Sequence, residues 1–171
     1  MVSRNLKRRS GSGRAAALVL AGMLFLGSGL TARAQSADAG AQNGLEGTWR
    51  FQKITVYDCQ TGATLRSFSA LAAFAQGGSL TVVTAGQPPS LYTTGLGIWR
   101  HTQGHSYSAV YDAFLFNPAG VWIQTHRITW TIDIGDDGDT FTNTIGLEIL
   151  DTSGNPIATG GCATGTATRF K

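Results

Sequence analysis

Three observations predict an all-β fold for residues 45–171, an eight-stranded antiparallel up-and-down β-barrel. This part of the chain is rich in Thr, Gly, Ile and aromatic residues and poor in Glu and Lys, a balance that favours strands and tight turns over helices. Turn signals recur at regular intervals, which suits many short strands joined by hairpins. Between the turns, apolar and polar residues alternate, so each strand covers a core on one face only. Strands of that kind lose their exposed edges by closing into a ring.

Residues 1–34 read as an export signal. Six basic residues (Arg4, Lys7, Arg8, Arg9, Arg14, Arg33) and no acidic one precede Gln35. The apolar run Ala15–Leu30 is followed by Ala32-Arg33-Ala34, a small-x-small cleavage site. Gly22, Gly27 and Gly29 interrupt the run, and it falls short of the roughly 20 residues a membrane span requires. Cleavage is expected after Ala34, giving a secreted or periplasmic bacterial protein with no membrane span. Arg8-Arg9 leaves the twin-arginine route open, and with no Cys before Cys59 a lipid-anchored cysteine is excluded. Residues 35–44 are small and polar, a disordered lead-in to the domain.

Removing the signal reverses the charge. The chain holds 13 Lys and Arg against 10 Asp and Glu; without the six basic residues, seven face ten, a net charge of −3. The remaining cations are scattered, so a nucleic-acid partner is not expected. A domain of this length can bury a single core.

The seven turn signals are Cys59-Gln60-Thr61-Gly62, Gln76-Gly77-Gly78, Gly86-Gln87-Pro88-Pro89, Thr102-Gln103-Gly104, Asn117-Pro118-Ala119-Gly120, Asp136-Asp137-Gly138 and Ser153-Gly154-Asn155-Pro156. They leave strands at 47–58, 64–75, 79–85, 93–101, 105–116, 121–134, 139–150 and 156–169. In the first, Trp49, Phe51, Lys53, Thr55 and Tyr57 share a face against Arg50, Gln52, Ile54 and Val56. Ala70–Ala75 also admits a short helical lid, because Ala and Leu are good helix formers. In the sixth, Trp122, Gln124, His126, Ile128, Trp130, Ile132 and Ile134 share a face. In the seventh, Phe141, Ile145, Leu147 and Ile149 do so.

Two cysteines, Cys59 and Cys162, remain after export, and in an oxidising compartment an even pair reads as a disulfide rather than a metal site. Such a bridge would close a loop of about 100 residues, removing about 4–5 kcal/mol of unfolded-state freedom on the chain-entropy picture. In a closed ring the first and last strands run antiparallel, so paired residue numbers share a nearly constant sum. Setting Trp49 opposite Arg169 leaves Cys59 and Cys162 three residues out of step. A bulge near Gly160-Gly161 or Gly165 would absorb the offset. A two-sheet sandwich is the structural rival.

Gly47-Thr48-Trp49 at the head of the first strand, with Arg169 near the end of the last, resembles the lipocalin and wider calycin pattern. The resemblance implies that Trp49 plugs the closed end of the barrel and that Arg169 stacks across it, a cation–π contact of about 0.5–2 kcal/mol. The domain is shorter than typical lipocalins, shows no C-terminal helix, and offers Arg127 as a competitor to Arg169. The segments Asp58–Gly62, Gly95–Trp99 and Gly165–Phe170 are also similar to uncharacterised secreted bacterial proteins, which implies no particular activity.

Candidate binding residues are Trp99, Tyr111, Trp122, Gln124, His126 and Trp130, aromatics mixed with a few hydrogen-bonding groups as ligand pockets require. Filling of a small barrel by the same residues is the alternative. No metal or other cofactor is expected. His101 and His105 flank a turn with no third ligand nearby. Gly135–Asp139 fails the calcium-loop pattern, with Phe141 and Thr142 at loop positions 5 and 6, and reads as a hairpin turn. No catalytic residue is assigned, because no nucleophile elbow or phosphate loop occurs.

The expected function is binding of a small hydrophobic molecule in the barrel, or a purely structural role. One alternative is a barrel isomerase or cyclase resembling allene oxide cyclase, which would need Asp112, Glu148 or His126 facing inward; Asp112 beside Tyr111 and Phe114 would then have a raised pKa. Another is a protein-binding module with a contiguous exposed apolar patch.

Overall fold

The computed structural model describes residues 44–171; the segments expected to form an export signal and, but for Gly44, a disordered lead-in lie outside that range. Eight antiparallel strands follow one another around a closed barrel: β1 (Gly47–Asp58), β2 (Thr64–Phe74), β3 (Ser79–Thr84), β4 (Gly95–Gln103), β5 (Ser106–Phe116), β6 (Trp122–Ile134), β7 (Thr140–Leu150) and β8 (Pro156–Arg169). Ala70–Phe74, the stretch that also admitted a helical lid, is strand. The tight turns use glycines at positive φ, including Gly62, Gly77, Gly104, Gly120, Gly138 and Gly154, where other residues are strained.

Closure pairs β1 with β8, Trp49 opposite Arg169 and Tyr57 opposite Cys162. The register shift within this pair lies between Phe51 and Lys53 rather than at the glycines of β8. Gly160, at φ 115°, is instead skipped in the pairing of β7 with β8. The shift in β1 changes which residues face inward. Trp49 and Phe51 point into the barrel, then Ile54 and Val56 do so, while Lys53 and Thr55 turn outward. A single extra residue exchanges the two faces of a strand.

Cys59 and Cys162 form a disulfide with Cα atoms 5.4 Å apart, joining the end of β1 to β8. A bridge of this kind belongs to an oxidising compartment.

The two halves of the barrel are filled differently. Near the start of β1 the interior is packed with aromatic rings: Trp49 lies 4.7 Å from Phe141, and Phe51 lies 5.3 Å from both Phe141 and Trp130. Small inward residues on β8 (Gly165, Ala167) make room for them; a Cβ on Gly165 would stand 3.0 Å from the Phe51 ring. The other half is lined by aliphatic side chains and is not filled.

Candidate functional site

The unfilled half holds a cavity of about 100 Å³. Ile54 and Val56 of β1, Phe68 and Ala70 of β2, Ile128 of β6, Ile145 and Leu147 of β7, and Ala163 of β8 form its walls. Its polar lining comes from Arg66, Thr84, Gln87, Tyr92, Tyr111 and His126.

Tyr111 divides the filled half from the empty one. Its ring stands edge-on to Trp130 at 5.2 Å, and glycines on β4 position it. A Cβ on Gly95 would lie 2.4 Å from the Tyr111 ring, and one on Gly97 only 2.0 Å from the Val110 carbonyl oxygen. The segment Gly95-Leu96-Gly97 thus leaves a slot on the inner wall of β4, and the tyrosine lies in it.

The connection between β3 and β4, residues 85–94, straps across the mouth. Ala85 N–H donates to the Ser69 carbonyl, Phe116 N–H to the Leu91 carbonyl and Thr93 N–H to the Phe114 carbonyl. Arg66 Nη1 donates to the Gly86 carbonyl at 2.7 Å, and Tyr92 brings its ring to 5.4 Å from His126.

Electrostatically the polar lining is simple. Burial pushes the Tyr92 hydroxyl up to about 12 and raises Tyr111 further, so both remain neutral donors at physiological pH. Burial, with the nearby Arg66 charge second, holds His126 below the ordinary imidazole range; one of its ring nitrogens is 2.8 Å from Gln124 Nε2. Among the described residues no aspartate or glutamate lines the cavity, and Arg66 is the one formal charge there.

The structure separates the six sequence-derived binding candidates. Tyr111 and His126 line the cavity, Gln124 hydrogen-bonds His126, and Trp130 lies beneath Tyr111 among the packed rings. Trp99 faces inward at the filled end, where its Nε1 donates to the Ala75 carbonyl and its ring meets Phe74 and Tyr107. Trp122 is not an interior residue. A register shift pairs Leu115 with Gln124 but Phe116 with Trp122, so Trp122 turns outward against Phe114 at 5.3 Å.

Asp112 also faces out, forming a bidentate pair with Arg127 at 3.0 and 2.8 Å. That pair occupies Arg127 and leaves the stacking role to Arg169, whose guanidinium carbon is 4.2 Å from the Trp49 ring centroid. Glu148 lies opposite Arg127 on the same outer side. His101 contacts the Gly104 carbonyl and His105 lies 3.6 Å from Asp136. Asp137 accepts from the Asp139 and Thr140 amides, as a hairpin turn requires.

Sequence reasoning set Ile128, Ile145 and Leu147 on apolar faces but missed Arg66, Tyr92 and the inward turn of Ile54 and Val56. The alternation Phe74, Ala72, Ala70, Phe68 along β2, continued one step, reaches Arg66 and would have placed it inward. Tyr92 lies on a connection with no periodicity to read. Compared with protein-family models, with curated proteins and with solved structures, the chain gives no match.

Proposed function

We propose that this is an exported lipocalin-like barrel that holds a small, mainly apolar molecule in the cavity at the mouth end. The cavity carries the reading: apolar walls with a few donors at one end are how ligand sites are built. The basic, apolar and small-residue succession of residues 1–34 and the disulfide favour export. Gly47, Trp49 and Arg169, together with the closed eight-stranded ring, favour a calycin relationship.

Native mass spectrometry of protein recovered from an exporting host tests this. The expected result is an added mass of a small organic molecule in the wild type, lost in Ala163→Phe, whose ring would occupy the cavity. Equal masses for both proteins, with no exchange of added apolar ligands, would contradict it.

A cyclase-like activity retains one inward group of the three it could use, His126. Burial keeps that imidazole neutral, which suits a weak base, but no acid faces it across the cavity. Binding without chemistry is the better account.

A further inference from the structure

We propose that the ligand is an amphiphile whose polar end is a carboxylate, received at the cavity mouth by Arg66. This rests on the binding function proposed above and specifies its chemistry.

The argument starts from position. Arg66 continues the inward row of β2 that holds Phe68, Ala70, Ala72 and Phe74, so its side chain leads toward the cavity rather than away from the barrel. Its guanidinium carbon lies 5.3 Å from the centroid of the Phe68 ring, itself part of the wall. Arg66 lies at the exposed end of that row, so its charge stays hydrated while its side chain reaches the cavity mouth. Arg127, Arg169 and Lys171 meet aspartates, whereas Arg66, like Arg50, Lys53 and Arg100, forms no ion pair among the described residues; of these four, Arg66 alone lines the cavity. Its one protein acceptor is the Gly86 carbonyl. A guanidinium has five donors in a planar fork, so most of them remain free.

The surroundings select the partner. Among the described residues Arg66 is the single formal charge in the lining, and no carboxylate there competes with an incoming anion. Tyr92 and Tyr111 are phenols whose titration burial raises, so each presents a neutral O–H to the cavity. Phenol O–H groups and a guanidinium fork all donate to a carboxylate, and the fork matches its two oxygens. Beyond this polar end lie Ile54, Ile128, Ile145 and Leu147, which offer nothing to a second polar group. A ligand with one anionic end and a short apolar body meets every part of the lining. A cationic amphiphile would meet the arginine.

Isothermal titration with octanoate, octanol and octylamine, three probes with one tail, tests the proposal on the exported wild-type protein and on Arg66→Gln. The expected result is octanoate binding about tenfold or more tighter than octanol, with octylamine the weakest. In Arg66→Gln the octanoate advantage disappears while octanol binds as before. Should Arg66→Gln lose octanol as well, through the tie to Gly86, Arg66→Lys decides: a retained preference for octanoate supports the charge, and a lost one overturns it. Octanol binding the wild type as tightly as octanoate, or octanoate unaffected by Arg66→Gln, would overturn the carboxylate assignment and leave the cavity-binding function standing. Failure of all three probes to bind would overturn both.

Discussion

The guanidinium of Arg169 lies 4.2 Å from the Trp49 ring centroid. It also donates to the Gly44 carbonyl at 2.6 Å, to the Glu46 carbonyl, and to the Gly138 carbonyl at 3.0 and 2.9 Å. One side chain thereby ties the entry to β1, the β6–β7 turn and the indole together. Lysine keeps the charge but cannot hold this fan of carbonyls. Arg169→Lys should cost about 2–4 kcal/mol, since carbonyls lose their donors along with the stacked contact. Urea unfolding followed by tryptophan fluorescence measures it.

Gly47 belongs to the same arrangement. It has φ 120°, and a Cβ there would stand 2.9 Å from Arg169 Nη1. Gly47→Ala should therefore cost about 1–3 kcal/mol through backbone strain, and the loss should be smaller in an Arg169→Ala background, where the guanidinium is gone. Additive losses in the double variant would separate the two effects.

The slot on β4 links packing to binding. Gly95→Ala should push the Tyr111 ring into the cavity, destabilising the fold by about 1–3 kcal/mol as overpacked cores do, and weakening binding of any cavity ligand. Equilibrium unfolding together with a ligand titration checks both halves. Unchanged affinity would mean that Tyr111 does not bound the ligand.

Reduction of the Cys59–Cys162 bridge should lower stability by about 2–4 kcal/mol, given the long loop it closes. Because Cys162 and Gly161 also line the cavity, ligand affinity should fall together with the unfolding midpoint. Oxidised and reduced protein, compared in urea with and without ligand, provide the measurement.

His126 sets a pH dependence. Burial first, and Arg66 second, lower its pKa in the folded protein, so the unfolded chain binds the proton more strongly. The stability this gives is complete above about pH 6.5 and is lost as pH falls through the folded-state value. Asp58, Asp137 and Asp151, held low by backbone amides in their turns, lose their contribution only below about pH 4. Thermal unfolding should show a larger drop in midpoint between about pH 7 and pH 5 in the wild type than in His126→Gln. Equal drops would assign that region to other groups.

The ring of strands was legible because the sixth and seventh strands carry a clear alternation and every turn carries glycine, proline, asparagine or aspartate. Trp49 and Arg169 meet as their positions at the two ends of the ring required. What the sequence hid was phase. One extra residue near Gln52 carries Ile54 and Val56 from the outer face to the cavity wall, and another near Ile123 carries Trp122 out of the barrel. Bulges are set by how neighbouring strands pack, and period-two patterns do not reveal them. The cavity itself was illegible for a related reason. It arises where bulky rings stop and small residues on β2 and β8 face aliphatic ones, a difference in summed volume across strands far apart in sequence.

Methyl NMR with labelled isoleucine and leucine, recorded as octanoate is added, tests the central claim most directly. The account predicts shifts at Ile54, Ile128, Ile145 and Leu147, which line the cavity, with Ile132 and Ile134 in the filled half unmoved. No shifts at saturating ligand, or shifts confined to the exposed Ile98, Ile123 and Ile157, would contradict it.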